Sequence, residues 1–130
     1  MSYWQEHNIE EKITQIMAGV PVYDPSHHFG RPFLTAYQIA IEFADRYPDD
    51  AAGLGFQVGG AGIGQRNSLA QYLAKELSRG INAGPITHIE GGFLSNHKLN
   101  AITFDNNGEI ITSSLTNTQY PLSMFRLRPT

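Results

Sequence analysis

The order of helical and strand patterns along the chain constrains its fold more than any other feature. Apolar residues recur at helical spacing over 9–18, 36–47 and 69–79, whereas the last third carries short apolar segments separated by turn residues. Helices that cluster early and strands that cluster late are typical of an α+β fold. We therefore predict about three helices packed on one face of a mainly antiparallel sheet of about five strands.

Capping residues define the ends of these helices. Each helix is preceded by a residue that can accept a backbone N–H bond, with Glu or Gln three positions further on, as in a capping box. These pairs are Asn8 and Glu11, Thr35 and Gln38, and Ser68 and Gln71. Gly19, Pro48 and Gly80 are expected to end the three helices, and Asp49 and Asp50 to open a loop.

The strands are predicted from short apolar segments between turn residues. In sequence order they are 54–58, 85–94, 99–105, 109–115 and 122–128. Gly91 and Gly92 are expected to form a bend or bulge inside the second strand. The third and fourth strands flank Asn106-Asn107-Gly108, which predicts a hairpin because Asn-Gly adopts the positive φ angles of a tight hairpin turn.

The length, net charge and residue content of the chain exclude several classes of protein. A chain of 130 residues fits one domain, 1–130. Its net charge is −3 and its nine Lys and Arg are scattered, which disfavours nucleic-acid binding. No apolar run is long enough to span a membrane, and segment 1–11 has no apolar signal-peptide core. Since the chain also has no Cys, we expect a cytoplasmic protein without disulfides.

The low content of charged residues points to self-association. Charged residues make up 16% of the chain, against about a quarter in an average soluble domain. A surface of this kind either relies on uncharged polar groups or is partly covered by a partner. We therefore expect that this protein can form a homo-oligomer.

The first candidate site is a glycine-rich segment, residues 59–68, which we call the glycine loop. Gly60, Gly62 and Gly64 allow the backbone to approach a ligand closely, and Arg66 can bind a phosphate or carboxylate. The segment precedes a predicted helix, whose N-terminus favours anions. It lacks the Lys and Ser/Thr of a P-loop and the third glycine of the dinucleotide motif, so it predicts a binding loop or a plain turn rather than either motif.

The second candidate site is the segment 23–33, which we call the His loop. Its prolines and glycine indicate an ordered loop before the second helix. His27 or His28 could bind a haem iron or act as a general base, and Arg31 could bind an anion such as a propionate or phosphate. Alternatively, this is a packed loop with surface histidines. A metal site is not predicted, because adjacent histidines on an extended segment point to opposite faces.

The third candidate site is the pair His88 and Glu90. Two positions apart on a strand, they point to the same face of the sheet. A carboxylate beside an imidazole raises its basicity, and such a pair is a minimal acid–base unit. The alternative is an ordinary polar pair on the sheet surface.

These features support three hypotheses about function. The first is a domain that binds a small, anionic, planar ligand, either a phosphate-bearing nucleotide-like compound or haem, where the glycine loop and the His loop meet. The second is a small enzyme with His88, Glu90 or His28 as acid–base groups. The third is a non-catalytic oligomeric interaction protein. The sequence alone leaves open whether the protein is an enzyme.

Overall fold

The five helices of the described residues and one short strand lie in the first two thirds of the chain, and the other four strands lie in the last third. The computed structural model describes residues 2–59, 68–113 and 121–129. The elements of this part are, in chain order, α1 (Tyr3–Glu6), α2 (Ile9–Ala18), β1 (Leu34–Thr35), α3 (Ala36–Arg46), α4 (Pro48–Leu54), α5 (Leu69–Ala83), β2 (Ile89–Leu94), β3 (Thr103–Asn106), β4 (Glu109–Thr112) and β5 (Leu122–Leu127). The α+β class is confirmed, but the described part has five helices rather than three.

The strands form two antiparallel sheets, so the expectation of one sheet is wrong. The larger sheet has the order β1-β5-β2, and β3 and β4 form a separate hairpin. The hairpin turn is confirmed, with positive φ angles at Asn107 and Gly108. The hairpin is attached to α3 by side chains: the rings of Phe104 and Tyr37 stack at 4.9 Å, and Asn107 donates a hydrogen bond to Asp45.

The core lies between the helices and the larger sheet. The stripe predicted for α2 is buried, and α3 and α5 bury the apolar residues of their inner faces against it. Phe125 and Ile89 cover this core from the sheet side. In the parts of the chain that the structure describes, no helix is both long and apolar enough to cross a membrane.

The capping predictions are correct in part. The Thr35 side chain accepts from the backbone N–H of Gln38, and the Gln38 side chain accepts from Thr35 N–H, which completes the predicted box. Ser68 likewise caps α5. The prediction for Asn8 is wrong, because Asn8 has a φ of 51° and its side chain makes no capping bond. That residue lies in the tight connection between α1 and α2.

The segment 48–58 differs most from the prediction. Helix α3 ends just before Pro48, as expected, but Pro48 then begins α4 instead of a loop, since proline is well suited to the first position of a helix. Asp49 and Asp50 lie in the first turn of α4, where acidic side chains are stabilised by the helix dipole. The predicted strand 54–58 is absent: Gly55, with a φ of 76°, ends α4, and Gln57 makes only an isolated bridge to Ser68.

Glycines near α5 and β2 have packing roles that the sequence did not indicate. The expectation that Gly80 ends the third helix is wrong, since α5 continues to Ala83. Gly80 instead allows close packing, because a Cβ there would lie 2.4 Å from Ile86 Cδ1. Strand β2 also runs through Gly91 and Gly92 in unbroken register with β5, so the predicted bend is wrong. At Gly91 a Cβ would lie 3.1 Å from the Phe125 ring.

Candidate functional site

The His loop is an ordered turn with its own hydrogen bonds. Asp24 Oδ1 accepts from the backbone N–H of Ser26 at 3.1 Å and from its hydroxyl at 2.6 Å. The N–H of His27 donates to the Asp24 carbonyl, and that of Gly30 to the His27 carbonyl. Gly30 has a φ of 81°, a conformation that other residues rarely adopt. The sequence-based expectation of an ordered loop is therefore confirmed.

Three aromatic rings form a cluster at the tip of this loop. The imidazoles of His27 and His28 stack with centroids 4.5 Å apart and planes at 19°, and Phe29 meets each of them edge-on at 4.6 Å. The expectation that the two histidines point to opposite faces is wrong, because the segment is a turn and not an extended strand. Phe29 is 69% exposed, and both histidines are exposed. We call His27, His28 and Phe29 the ring cluster.

The side chain of Arg126 fixes the His loop to the end of the larger sheet. Its Nη1 donates to the carbonyl oxygens of Phe29 and, at 3.0 Å, of Arg31. Its Nε and Nη2 donate to Glu90 Oε1 at 3.3 and 3.2 Å, and its guanidinium lies 4.3 Å from the centroid of the Phe33 ring. Arg126 therefore joins β5, β2 and the loop at one point.

The sequence did not indicate this role for Arg126. Arg126 and Glu90 are 36 positions apart, and they become partners because β5 and β2 pair in a register that places them directly opposite each other. The only signal in the sequence is that a strand with one acidic residue and a strand with basic residues both occur in the last third. That signal identifies neither the pairing nor the register.

Arg31 differs from Arg126 in its surroundings. Its Nη1 donates to the Val20 carbonyl at 3.4 Å, and its side chain is half-buried. Among the described residues it forms no ion pair with a carboxylate. A guanidinium keeps its charge at all physiological pH values. Arg31 thus carries its positive charge on the residue two positions after the ring cluster.

His88 and Glu90 lie at the same end of the sheet, but they have different partners. His88 Nε2 is 2.9 Å from the Thr14 hydroxyl, whereas the Glu90 carboxylate binds Arg126. Thr14 in turn donates to the Glu10 carbonyl of α2. The use of His88, Glu90 or His28 as acid–base groups stays a prediction.

The central part of the glycine loop, with Gly60, Gly62, Gly64 and Arg66, lies outside the described residues. Its two flanks are held together. The N–H groups of Leu69 and Ala70 donate to the carbonyls of residues 57 and 58 at 2.6 and 3.0 Å, and a Cβ on Gly59 would lie 3.3 Å from Tyr37. The flanks therefore contact the start of α3, while the His loop contacts Arg126. The predicted meeting of the two loops stays a prediction.

A second polar cluster, which the sequence did not indicate, joins the N-terminal helices to α4. Asp50 Oδ1 is 3.0 Å from His7 Nδ1, and Lys12 Nζ binds the other carboxylate oxygen. Tyr3 donates its hydroxyl hydrogen to the Asp50 carbonyl at 2.9 Å and stacks on His7 with centroids 3.9 Å apart. These contacts clamp α1 and α2 to α4. Within the described residues, no group of three or more His, Asp or Glu could hold a metal ion.

Comparisons with known proteins identify no relative of this chain. No family model, no curated protein and no solved structure matches it. The functional argument therefore depends on the geometry of the chain itself.

Proposed function

We propose that this protein is a binding domain for a small, planar, anionic ligand, and that the His loop is its binding element. One observation carries the proposal: an exposed ring cluster is followed two positions later by Arg31 on a loop that Arg126 fixes to the sheet. Catalysis is not part of the proposal.

The ring cluster supports the planar part of the ligand. Stacked and edge-on aromatic rings attract a further flat ring through dispersion and quadrupole interactions. Phe29 and Tyr23 are 69% and 92% exposed, so both are accessible from solvent. Because the loop is held by its own hydrogen bonds and by Arg126, little conformational entropy is lost when a ligand binds.

Arg31 supports the anionic part of the ligand. A guanidinium without a carboxylate partner binds phosphate or carboxylate oxygens through two parallel hydrogen bonds. The histidines add donors, and each gains a positive charge when it is protonated. We propose that Gly60, Gly62, Gly64 and Arg66 contribute further backbone donors and charge. A nucleotide-like compound and a haem with its propionates both combine a flat ring system with anionic groups.

The experiment is a titration with two probes, ATP followed by calorimetry and haemin followed by absorbance. We expect one of them to bind the wild-type protein. Arg31→Ala should weaken binding by about ten- to a hundredfold, because it removes hydrogen bonds to a charged group. Phe29→Ala should weaken it by about tenfold through lost stacking.

Two exposed residues provide matched controls for these variants. Arg79→Ala removes an arginine on α5, and Ile110→Ala removes an apolar side chain that is 73% exposed on β4. Both should bind like the wild type. If neither probe binds, or if Arg31→Ala binds as tightly as Arg79→Ala, the proposal is wrong.

Two further expectations from the sequence stand as proposals. We propose a cytoplasmic location, on the grounds of the missing cysteines, and self-association, on the grounds of the low content of charged residues. The structure suggests which surface self-association would use, and that surface is separate from the His loop.

A further inference from the structure

The two outer strands of the larger sheet present very different edges. Strand β1 has two residues and follows Pro32, so it offers almost no backbone for pairing. Strand β2 has six residues, all paired with β5 on one side. Within the described residues no strand pairs with its other side. An edge of this length is a template for another strand unless it is protected.

Strand β2 lacks the usual protection against edge pairing. Proteins commonly protect edges with charged side chains, prolines or bulges. The only charged residue of β2 is Glu90, and its carboxylate is bound to Arg126 on the neighbouring strand. No proline is present, and the register with β5 is continuous. An approaching strand would therefore meet no repelling charge and no irregular backbone.

Gly92 has no evident role within a single copy of the chain. Its φ angle is not positive, and a Cβ built on it would have no atom within 4 Å. Gly91 is different, since the Phe125 ring occupies the space beside it. A strand glycine without an internal reason is typical of a place where another backbone approaches closely.

Phe93 and Gly91 lie two positions apart on the same face of β2, beside a groove that both of them line. The Phe93 side chain is 69% exposed at the edge of the sheet. Beside it, a groove of about 360 Å³ lies between α5 and the sheet, with Ile81 on the helix side and Gly91 and Phe125 on the sheet side. The groove is of mixed polarity, because it is also lined by Ser78, Asn82 and Ser123. One strand thus carries both an exposed aromatic ring and one wall of a groove.

We propose that β2 pairs antiparallel with β2 of a second copy of this chain, about a two-fold axis at Gly92. In this register Gly92 lies opposite Gly92 of the second copy, and Phe93 lies opposite Gly91 of the second copy. Directly opposed residues share a face of the sheet. Each Phe93 ring therefore lies beside Gly91 of the other copy and enters the groove next to the Phe125 ring, which already covers Gly91. The two sheets become one sheet of six strands.

The occupant is a second copy because the surface is self-complementary. A two-fold interface uses the same patch on both partners, so every projection must meet a recess of that same patch. Phe93 and the groove beside Gly91 are equally far from Gly92 on opposite sides, which satisfies this condition. The remaining pair places Glu90 opposite Leu94, so no like charges face each other. A short edge gives a small interface, so the dimer dissociates on dilution.

The first test is sedimentation of the full chain from low micromolar to submillimolar concentration. The wild type should change from monomer to dimer as the concentration rises. Phe93→Lys should remain monomeric throughout, because it removes the ring and adds a charge to the edge. Ile110→Lys, a matched change at an exposed apolar residue on β4, should dimerise like the wild type.

The second test uses the absence of cysteine in the chain. Opposed residues of an antiparallel pair have Cβ atoms about 4.5–5.5 Å apart, near the range for a disulfide. Gly92→Cys should form a disulfide-linked dimer under mild oxidation, and Ile110→Cys should not. A wild type that stays monomeric, a Phe93→Lys variant that dimerises normally, or equal cross-linking of the two cysteine variants would overturn the proposal. None of these outcomes depends on ligand binding at the His loop.

Discussion

Arg126 and Arg31 show two uses of the same side chain within one small region. The Arg126 side chain is 18% exposed, and its N–H groups donate hydrogen bonds to Glu90 and to two carbonyls of the His loop. Arg31 carries one of those carbonyls, yet its own guanidinium has a single long bond to Val20. The first arginine contacts the loop through two of its carbonyls, and the second has no carboxylate partner among the described residues. Residue type therefore says little about role until the partners are known.

The largest expected effect is that of Arg126→Ala on stability. Removing one partner from a fully buried pair costs about 3–5 kcal/mol, and because Arg126 and Glu90 are about a fifth exposed we expect a loss of about 2 kcal/mol. Urea denaturation measures this loss. Arg79→Ala, which breaks the exposed pair with Glu76, is the control and should cost less than about 0.5 kcal/mol. Equal losses in the two variants would contradict the role of Arg126.

Glu90→Gln separates the two sets of bonds that Arg126 makes. It removes the negative charge but leaves the bonds to the carbonyls of Phe29 and Arg31. We expect a loss of about 1 kcal/mol, smaller than that of Arg126→Ala, because only the charged bond is weakened. Hydrogen exchange of the Gly30 amide should change little in this variant and rise strongly in Arg126→Ala. If exchange of the Gly30 amide rises more in Glu90→Gln than in Arg126→Ala, the ion pair, and not the carbonyl contacts, holds the loop.

Arg31→Ala should hardly affect stability. The variant loses one bond of 3.4 Å and no ion pair with a described residue, so we expect a change within about 0.5 kcal/mol. The same urea measurement applies. A loss similar to that of Arg126→Ala would show that Arg31 is also a structural residue, and the comparison between the two arginines would fail.

The smallest effect is expected from Tyr72 at alkaline pH. Burial raises the pKa of Tyr72 above its usual value of 10.0, with smaller contributions from Glu76 and Tyr3. The unfolded chain therefore loses this proton first, and stability falls as pH rises above 10 through the folded pKa. Tyr72→Phe should lack this part of the loss in urea titrations at increasing pH. If the free energy of unfolding falls with pH equally in the wild type and in Tyr72→Phe, the raised pKa of Tyr72 is not the cause.

Local features of the fold could be predicted from the sequence, and features that depend on distant pairing could not. The bounds of α2, the Thr35 box and the hairpin at Asn107-Gly108 follow from residues a few positions apart. Helix α4 was missed because Pro48 can either follow one helix or begin the next. Here it does both, since Tyr47 ends α3 and precedes α4.

The same distinction applies to the candidate site. The residues of the ring cluster and Arg31 are neighbours in sequence, so the local sequence was enough to single them out as candidates. Arg126 acquires its role only through the β2–β5 register, and the clamp on Asp50 joins residues 38 to 47 positions apart. Sequence patterns have a range of a few residues and contain no information about such pairs. The groove beside Phe93 was missed for the same reason.

The central position of β5 has a consequence for how the protein forms during synthesis. Both β1 and β2 pair with β5, which is synthesised after the other nine elements of the described residues. Until then the helices can collapse locally, but β1 and β2 have no common neighbour and the larger sheet cannot exist. Pairing over such sequence distances is slow, because a long segment of chain must be ordered first. Until β5 is in place, the apolar residues of the helices also lack the cover that Leu122 and Phe125 provide in the folded protein.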